Sequence, residues 1–352
     1  RLRRSQGMPD MLRNLSIAGV HPRAWTRWPT TGTPGLGIVT GGTLDVFRDG
    51  ADGPSLSPAA GPVAACLLEA YATQHGYALY VEQDLQRWGL DRPWVAAGTN
   101  LLSWAKFPLM GALLRSQPTL PILVWVDMDV LLLNASVSLL MRLTTMPDCS
   151  AGLLGAWDRE TLWYLPPWRK NDFNSTRWRQ QRWASQLAST GESSYFWFGR
   201  DVNANYKLNV NSGFFALRNV PLAHDLLELA WAAGNDPEHY KQHDPGWRGK
   251  APGSAYFGWP GEQGGLWDAL TNSSRYLRRL CVATPGWLQL LVTRPVLRWN
   301  GTGFGPANLE RAIRSQSNGS NFAMHMVGMN RTMRARGLGI GARLFGAQHC
   351  AA

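Results

Sequence analysis

Long apolar runs, lysine and cysteine are all scarce in this 352-residue sequence, and each shortage closes off a class of protein. No stretch reaches the ~18 consecutive uncharged apolar residues of a membrane-crossing helix, so no segment here has the length for that role. No secretory leader pattern opens the chain. It begins RLRRSQ without a methionine, and the expectation is a fragment whose upstream part lies outside this sequence. Only five of the 35 basic residues are lysine, and the arginines are scattered rather than clustered. The formal charge of +11 therefore does not describe a nucleic-acid surface; an anionic nucleotide substrate is an adequate use for it. The four cysteines, Cys66, Cys149, Cys281 and Cys350, contain no Cys-x-x-Cys and no zinc spacing; they permit two disulfides without demanding any. Charged residues make up only 17% against 45% hydrophobic, which excludes a disordered chain and describes one large core or two smaller ones. Internal repeats and coiled-coil heptads are absent as well.

The most informative stretch that is present runs from Pro121 to Asn134, PILVWVDMDVLLLN. Ile122 to Val126 is a continuous apolar run, the pattern of a strand buried on both faces. Side chains two apart on a strand point the same way, so Asp127 and Asp129 project together where the strand ends. Ligands of open α/β sheets sit at that carboxyl end. Two carboxylates held together repel unless a cation neutralises them, and hard oxygen donors suit Mn²⁺ or Mg²⁺, which in turn hold phosphate oxygens. Asp-x-Asp is also a common solvated strand end. Phosphatases of the haloacid dehalogenase type place the same pair after an apolar strand, but follow it with a small turn-forming residue where this chain has Val130.

Residues 1–35 are polar and punctuated by Pro and Gly, as in a stem or linker. Gly37 to Gly42 reads as a first strand and glycine turn, and Ala59 to Gly76 as a helix stopped by Gly76. Tyr77 to Val81 reads as the next strand, and Pro108 as the start of a helical turn with Leu109, Met110, Leu113 and Leu114 on one face. Leu208–Leu217 reads as a strand and Leu222–Ala233 as a helix with Pro221 in its first turn. This alternation predicts an α/β protein with a Rossmann-like, doubly wound, mostly parallel sheet. Between 158 and 205 lies a Trp-rich insertion with Trp163, Trp168, Trp178, Trp183 and Trp197 beside Tyr195, Phe196 and Phe198. Its indoles suit either stacking on the C–H faces of sugar rings or the core of an added subdomain. Residues 331–352, with Arg331, Arg334, Arg336 and Arg343, read as a basic, loosely ordered C-terminal tail. Seven Asn-x-Ser/Thr sequons, at Asn14, Asn134, Asn174, Asn272, Asn300, Asn318 and Asn330, exceed the roughly two expected by chance and favour a secretory-pathway lumen.

Several landmarks in order resemble one family. They are Gly37-Ile38-Val39-Thr40-Gly41; Tyr71-Ala72 with His75-Gly76-Tyr77; and Trp104-Ala105-Lys106-Phe107-Pro108, directly ahead of Trp125-Val126-Asp127-Met128-Asp129 with Leu133-Asn134. Further on come Asn211-Ser212-Gly213-Phe214 with Leu217-Arg218-Asn219, Glu262-Gln263, and His325-Met326-Val327-Gly328. The family is glycosyltransferase family 34, and the resemblance spans about residues 36–330.

The resemblance implies a GT-A fold over 36–330 and a retaining, metal-dependent transfer of a xylosyl, galactosyl or mannosyl group. The donor would be a nucleotide sugar, UDP-linked, and the acceptor a glycan or glycoprotein. It implies a Golgi lumenal, type II membrane protein whose N-terminal anchor is outside this chain, with no nucleic-acid partner. It places Mn²⁺ (or Mg²⁺) on Asp127, Asp129 and His325, with Asp127 also facing the ribose. Thr40 and Gly41 would lie against the nucleotide, Lys106 near the phosphates unless it is a surface lysine, and Asn211, Ser212 and Gly213 along the sugar pocket. Glu262 and Gln263 are the catalytic candidates near the reacting carbon, supporting an oxocarbenium-like state or orienting the acceptor hydroxyl; helix capping is the plainer use of Glu262. Two departures stand out: Met329, Asn330 and Arg331 follow the closing motif where the family often carries a Lys, and the Trp-rich insertion is long. A non-catalytic glycan-binding relative of the same fold is the alternative to an enzyme.

Overall fold

A computed structural model of the protein describes residues 24–27, 33–42, 44–47, 60–88, 101–151, 182–200, 210–233, 261–271, 273–284, 287–288, 290–291, 306–317, 321–326, 331–344 and 346–350. The strands are β1 Ala24–Arg27, β2 Gly37–Gly41, β3 Ala78–Glu82, β4 Ile122–Val126, β5 Val130–Leu132, β6 Phe196–Arg200, β7 Val210–Arg218, β8 Leu280–Ala283, β9 Leu290–Leu291 and β10 Ala323–His325. The longer helices are α1 Ala60–His75, α2 Lys106–Ser116, α3 Pro221–Ala233, α4 Gly261–Thr271, α5 Pro306–Ser317 and α6 Arg331–Leu344.

The central sheet has seven strands in the order β1-β3-β2-β4-β7-β6-β8. β2 is parallel to both β3 and β4, and β6 is parallel to β8. β7 runs antiparallel to β4 and β6, and β1 antiparallel to β3, so five strands share one direction. A smaller sheet, β5-β10-β9, flanks the carboxyl end of β4.

The alternation along β4 explains the apolar run. Leu123 and Trp125 enter one core with residues of α2, α3 and α4, while Ile122, Val124 and Val126 enter the other with residues of α1. Helices thus cover both faces, as the mostly parallel pattern predicts, and each such buried side chain is worth about 1.5–3 kcal/mol. α1 stops where expected: Gly76 takes φ +66°, and the Tyr77 N–H returns to the Ala72 carbonyl at 2.9 Å.

Two of the sequence landmarks prove to be joints of the fold. Tyr71 donates its hydroxyl to the Val137 carbonyl and accepts from the Leu139 N–H, both at 2.8 Å. Tyr77 shares a 2.8 Å hydrogen bond with Ser138, and a His75 ring nitrogen lies 2.7 Å from the Ala135 carbonyl. Together they pin the segment after β5 to the end of α1. Asn219 in turn donates to the carbonyls of Leu114 and Gln117, closing the C-terminal end of α2.

The structure departs from the sequence expectations at three places. Within the expected stem, Ala24–Arg27 forms the edge strand β1. The C-terminal segment is not a loose tail: Arg331–Leu344 is the helix α6, with Leu338, Ile340 and Ala342 buried, and Cys350 is disulfide-bonded to Cys66 of α1. Gly337 and Gly341, one helical turn apart, make this possible, because a Cβ there would collide with Met326 and Leu131 respectively. In the Trp-rich region, Phe196, Trp197 and Phe198 are fully buried strand residues of β6, and Trp183 packs edge-to-face on Trp267 with centroids 5.2 Å apart. These aromatics belong to the core; Trp163, Trp168 and Trp178 lie outside the described residues. A second disulfide, Cys149–Cys281, ties the chain ahead of β6 to β8.

Candidate active site

Asp127 leaves the end of β4 with its backbone N–H bonded to the Gly213 carbonyl of β7 at 2.7 Å. Its Oδ1 accepts from the Trp125 indole at 2.5 Å and pairs with Lys106 Nζ at 3.3 Å. Lys106 is the first residue of α2, whose Phe107, Met110, Leu113 and Leu114 are buried in the core and fix its position. Its ammonium reaches three further acceptors: the Ser212 carbonyl at 3.0 Å, Ser212 Oγ at 3.5 Å and Glu262 Oε1 at 3.5 Å. The side chain is 2% exposed, against 29% for Asp127 and 14% for Glu262. Lys106 is therefore not the alternative surface lysine but an interior cation bridging two acids.

A lysine at a helix N-terminus works against the helix dipole by about 0.3–1 kcal/mol, and its burial costs more. Burial lowers the Lys106 pKa, but the charges of Asp127 and Glu262 and the hydrogen bonds to them outweigh it, so the net shift is upward and the ammonium persists. The bridge is the reason a cation can occupy this place.

β7 and α4 supply the other wall. Ser212 donates its hydroxyl to Glu262 Oε1 at 2.8 Å, and its backbone N–H to Gln263 Oε1 at 3.0 Å. Asn211 accepts the Gly213 N–H at 2.8 Å. Asn211, Ser212 and Gln263 are buried, so their polar groups brace the site. Glu262 sits in the first turn of α4, as its capping role required, yet its carboxylate is committed to Ser212 and Lys106.

Asp129 lies two residues on, largely buried. Its carbonyl accepts the Met326 N–H at 2.9 Å, and Val130 is paired with His325 across β5 and β10. The His325 backbone is thereby beside the two aspartates; its side chain is outside the described residues. Thr40 and Gly41 end β2 on the neighbouring strand. Thr40 Oγ1 is buried without a hydrogen-bond partner among the described residues, and a Cβ on Gly41 would press on Glu82 and Leu85. No described contact joins Thr40 to the Lys106 cluster.

Two participants were missed by sequence reasoning. Trp125 was legible, since it stands two residues before Asp127 on the same strand face. Arg334 was not: it comes from α6 and places Nε 3.3 Å from Asp129 Oδ2. Elsewhere, Cys66, His349 and Cys350 lie together, but the disulfide consumes both thiolates that a soft metal would need.

Residues 69–251, just over half of the chain, match the galactosyl transferase GMA12/MNN10 family. The chain belongs to that family. It is a glycosyltransferase, and Lys106, Asp127, Asp129, Asn211, Ser212 and Gly213 all fall within the family segment. The haloacid dehalogenase alternative drops out with that membership. A similar solved structure is that of a glycosyltransferase involved in the glycosylation of the major capsid of PBCV-1. It is 14% identical, with a TM-score of 0.46, over 87% of this chain and 98% of that one. No curated protein matches the sequence.

Proposed function

We propose that this family member is a retaining, divalent-metal-dependent enzyme of the Golgi lumen. It moves a xylosyl, galactosyl or mannosyl group from a nucleotide sugar, UDP-linked, to a glycan or glycoprotein acceptor. The observation that carries the reading is the Lys106 bridge, which joins Asp127 of the strand-end carboxylate pair to Glu262, the candidate beside the reacting carbon.

The donor set fits a hard cation. Two carboxylates leave one strand end, and each has drawn a positive side chain of the protein toward it. Asp127 and Asp129 would hold Mn²⁺ or Mg²⁺, with His325 completing the set by family resemblance. Such an ion supplies Lewis-acid stabilisation of the diphosphate leaving group. Lys106, bridging the two, holds Asp127 and Glu262 fixed in direction. Ser212 and Gln263 hold the α4 N-terminus against β7, so Glu262 is oriented before substrate arrives. Glu262 and Gln263 then act at the sugar, either facing the developing positive charge or aligning the acceptor hydroxyl. The Thr40 hydroxyl at the end of β2, without a hydrogen-bond partner among the described residues, is an available donor for the nucleotide.

Two disulfides support an oxidising lumen, as do the sequons. At Asn134, the one sequon among the described residues, the Ser136 hydroxyl donates to the asparagine Oδ1 at 2.7 Å.

The test is release of nucleoside diphosphate from UDP-xylose, UDP-galactose, UDP-glucose and GDP-mannose with Mn²⁺, for the wild type and Asp129→Ala. One active donor, silent in the variant, and an α-linked product by NMR are expected. Turnover of no donor with glycan binding intact would favour the non-catalytic relative.

A further inference from the structure

Each aspartate of the strand-end pair has a cation of the protein beside it, but the two cations are held differently. Lys106 is interior and shared between Asp127 and Glu262. The Arg334 side chain is 37% exposed, but its Nε is buried 3.3 Å from Asp129 Oδ2 and has no hydrogen-bond partner among the described residues. The pair therefore rests on charge without the directional hydrogen bond that would hold the guanidinium in place.

The backbone that carries Arg334 is, by contrast, firmly placed. α6 buries Leu338, Ile340 and Ala342, presses Gly341 on Leu131 of β5, and is followed by the Cys350–Cys66 bridge to α1. What a ligand could shift is therefore the Arg334 side chain and not its backbone. This conclusion rests on reading Asp127 and Asp129 as a metal site. A guanidinium and a divalent cation on one carboxylate repel each other at close range. A diphosphate removes that conflict, since its oxygens accept the planar fork of an arginine in pairs of hydrogen bonds.

We propose that Arg334 is a resident counter-ion of Asp129, which a divalent metal must displace, and that the displaced guanidinium binds the donor diphosphate. Metal and nucleotide binding are thereby coupled through one side chain, and the coupling is reciprocal.

The experiment uses the full chain as wild type, Arg334→Gln, Arg334→Lys and Asp129→Ala. Mn²⁺ alone is titrated by the EPR signal of the free ion, and UDP by calorimetry at saturating Mn²⁺. Arg334→Gln is expected to bind Mn²⁺ about tenfold more tightly without nucleotide, and UDP about tenfold more weakly. Arg334→Lys, which keeps the charge, stays near the wild type for Mn²⁺. Unchanged Mn²⁺ affinity in Arg334→Gln, with binding abolished in Asp129→Ala, overturns the proposal and leaves the metal site standing. Mn²⁺ binding that survives Asp129→Ala removes the metal reading and the proposal with it. Loss of both affinities in Arg334→Gln together with a lowered melting temperature marks a structural arginine and likewise overturns it.

Discussion

At the scale of single residues, the site turns on Lys106. Its four oxygen partners include two carboxylate oxygens, and its side chain is almost wholly inside the protein. Removing one partner of a buried ionic cluster leaves the others uncompensated, at about 3–5 kcal/mol. Glu262 and Asp127 keep some solvent contact, so Lys106→Met is expected to lose about 3 kcal/mol in denaturant unfolding at neutral pH. Because the folded pKa is raised, this contribution is complete below the ordinary value of 10.5 and is lost only as the pH climbs through the folded one. Adding Glu262→Gln to Lys106→Met should restore part of the loss; a purely additive double variant would show that the bridge is not an energetic unit. The two aspartates were legible from strand periodicity alone, since alternation puts i and i+2 on one side. The burial of Lys106 was not, because nothing local in WAKFP says that Glu262 will arrive 156 residues later.

At the scale of elements, the landmarks divide into those that touch the site and those that hold it. Tyr71, His75 and Tyr77 fasten the chain behind β5, which sets where the β4 end and Asp129 can lie. Asn219 fastens α2, which carries Lys106, and its Oδ1 lies 3.1 Å from His224 Nε2 in α3. Burial and then the charge of Arg115 push the His224 pKa below its ordinary 6.5, with Asp225 opposing them more weakly. The unfolded state therefore takes up the proton first on acidification. The stability from neutral His224 is full above 6.5 and is lost as the pH falls through that value to the lowered folded one. Chemical unfolding across that window should show the decline in the wild type and a flatter profile in His224→Gln. A parallel decline in both proteins would assign the effect to other groups. The helix and strand periods made these elements readable. Their joints were not, because a tyrosine hydroxyl aimed at a distant carbonyl leaves no trace in periodicity.

At the scale of the whole molecule, the C-terminus is what local reading judged least well. Four arginines between 331 and 343 suggested a solvated tail, yet the small residues between them form a packing face. Gly337 and Gly341 let α6 approach Met326 and the smaller sheet, Ala342 packs beside the disulfide, and the Cys66–Cys350 bridge closes the chain over a separation of 284 residues. A cross-link over so long a loop restricts the unfolded chain strongly, with typical values of about 2–4 kcal/mol. Replacing both cysteines by serine is expected to lower stability by about 3 kcal/mol. It should also expose α6 to limited proteolysis before the central sheet; simultaneous cleavage of both would show that α6 is not held by the bridge. Since α6 carries Arg334, the same variant should weaken UDP binding.

The sequence by itself determined the alternation of strands and helices, the double burial of β4 and the emergence of Asp127 and Asp129 together at its end. These follow from side-chain periods over a few residues, and periodicity is a local property. It also supplied the landmarks that resemble the family to which the chain belongs. The tertiary structure alone decided that Lys106 is an interior bridge, that Phe196 to Phe198 are core, and that Arg334 reaches Asp129. Those facts depend on segments meeting from opposite ends of the chain, and contacts of that range are fixed by packing of the complete fold, not by any stretch of sequence that could be read on its own.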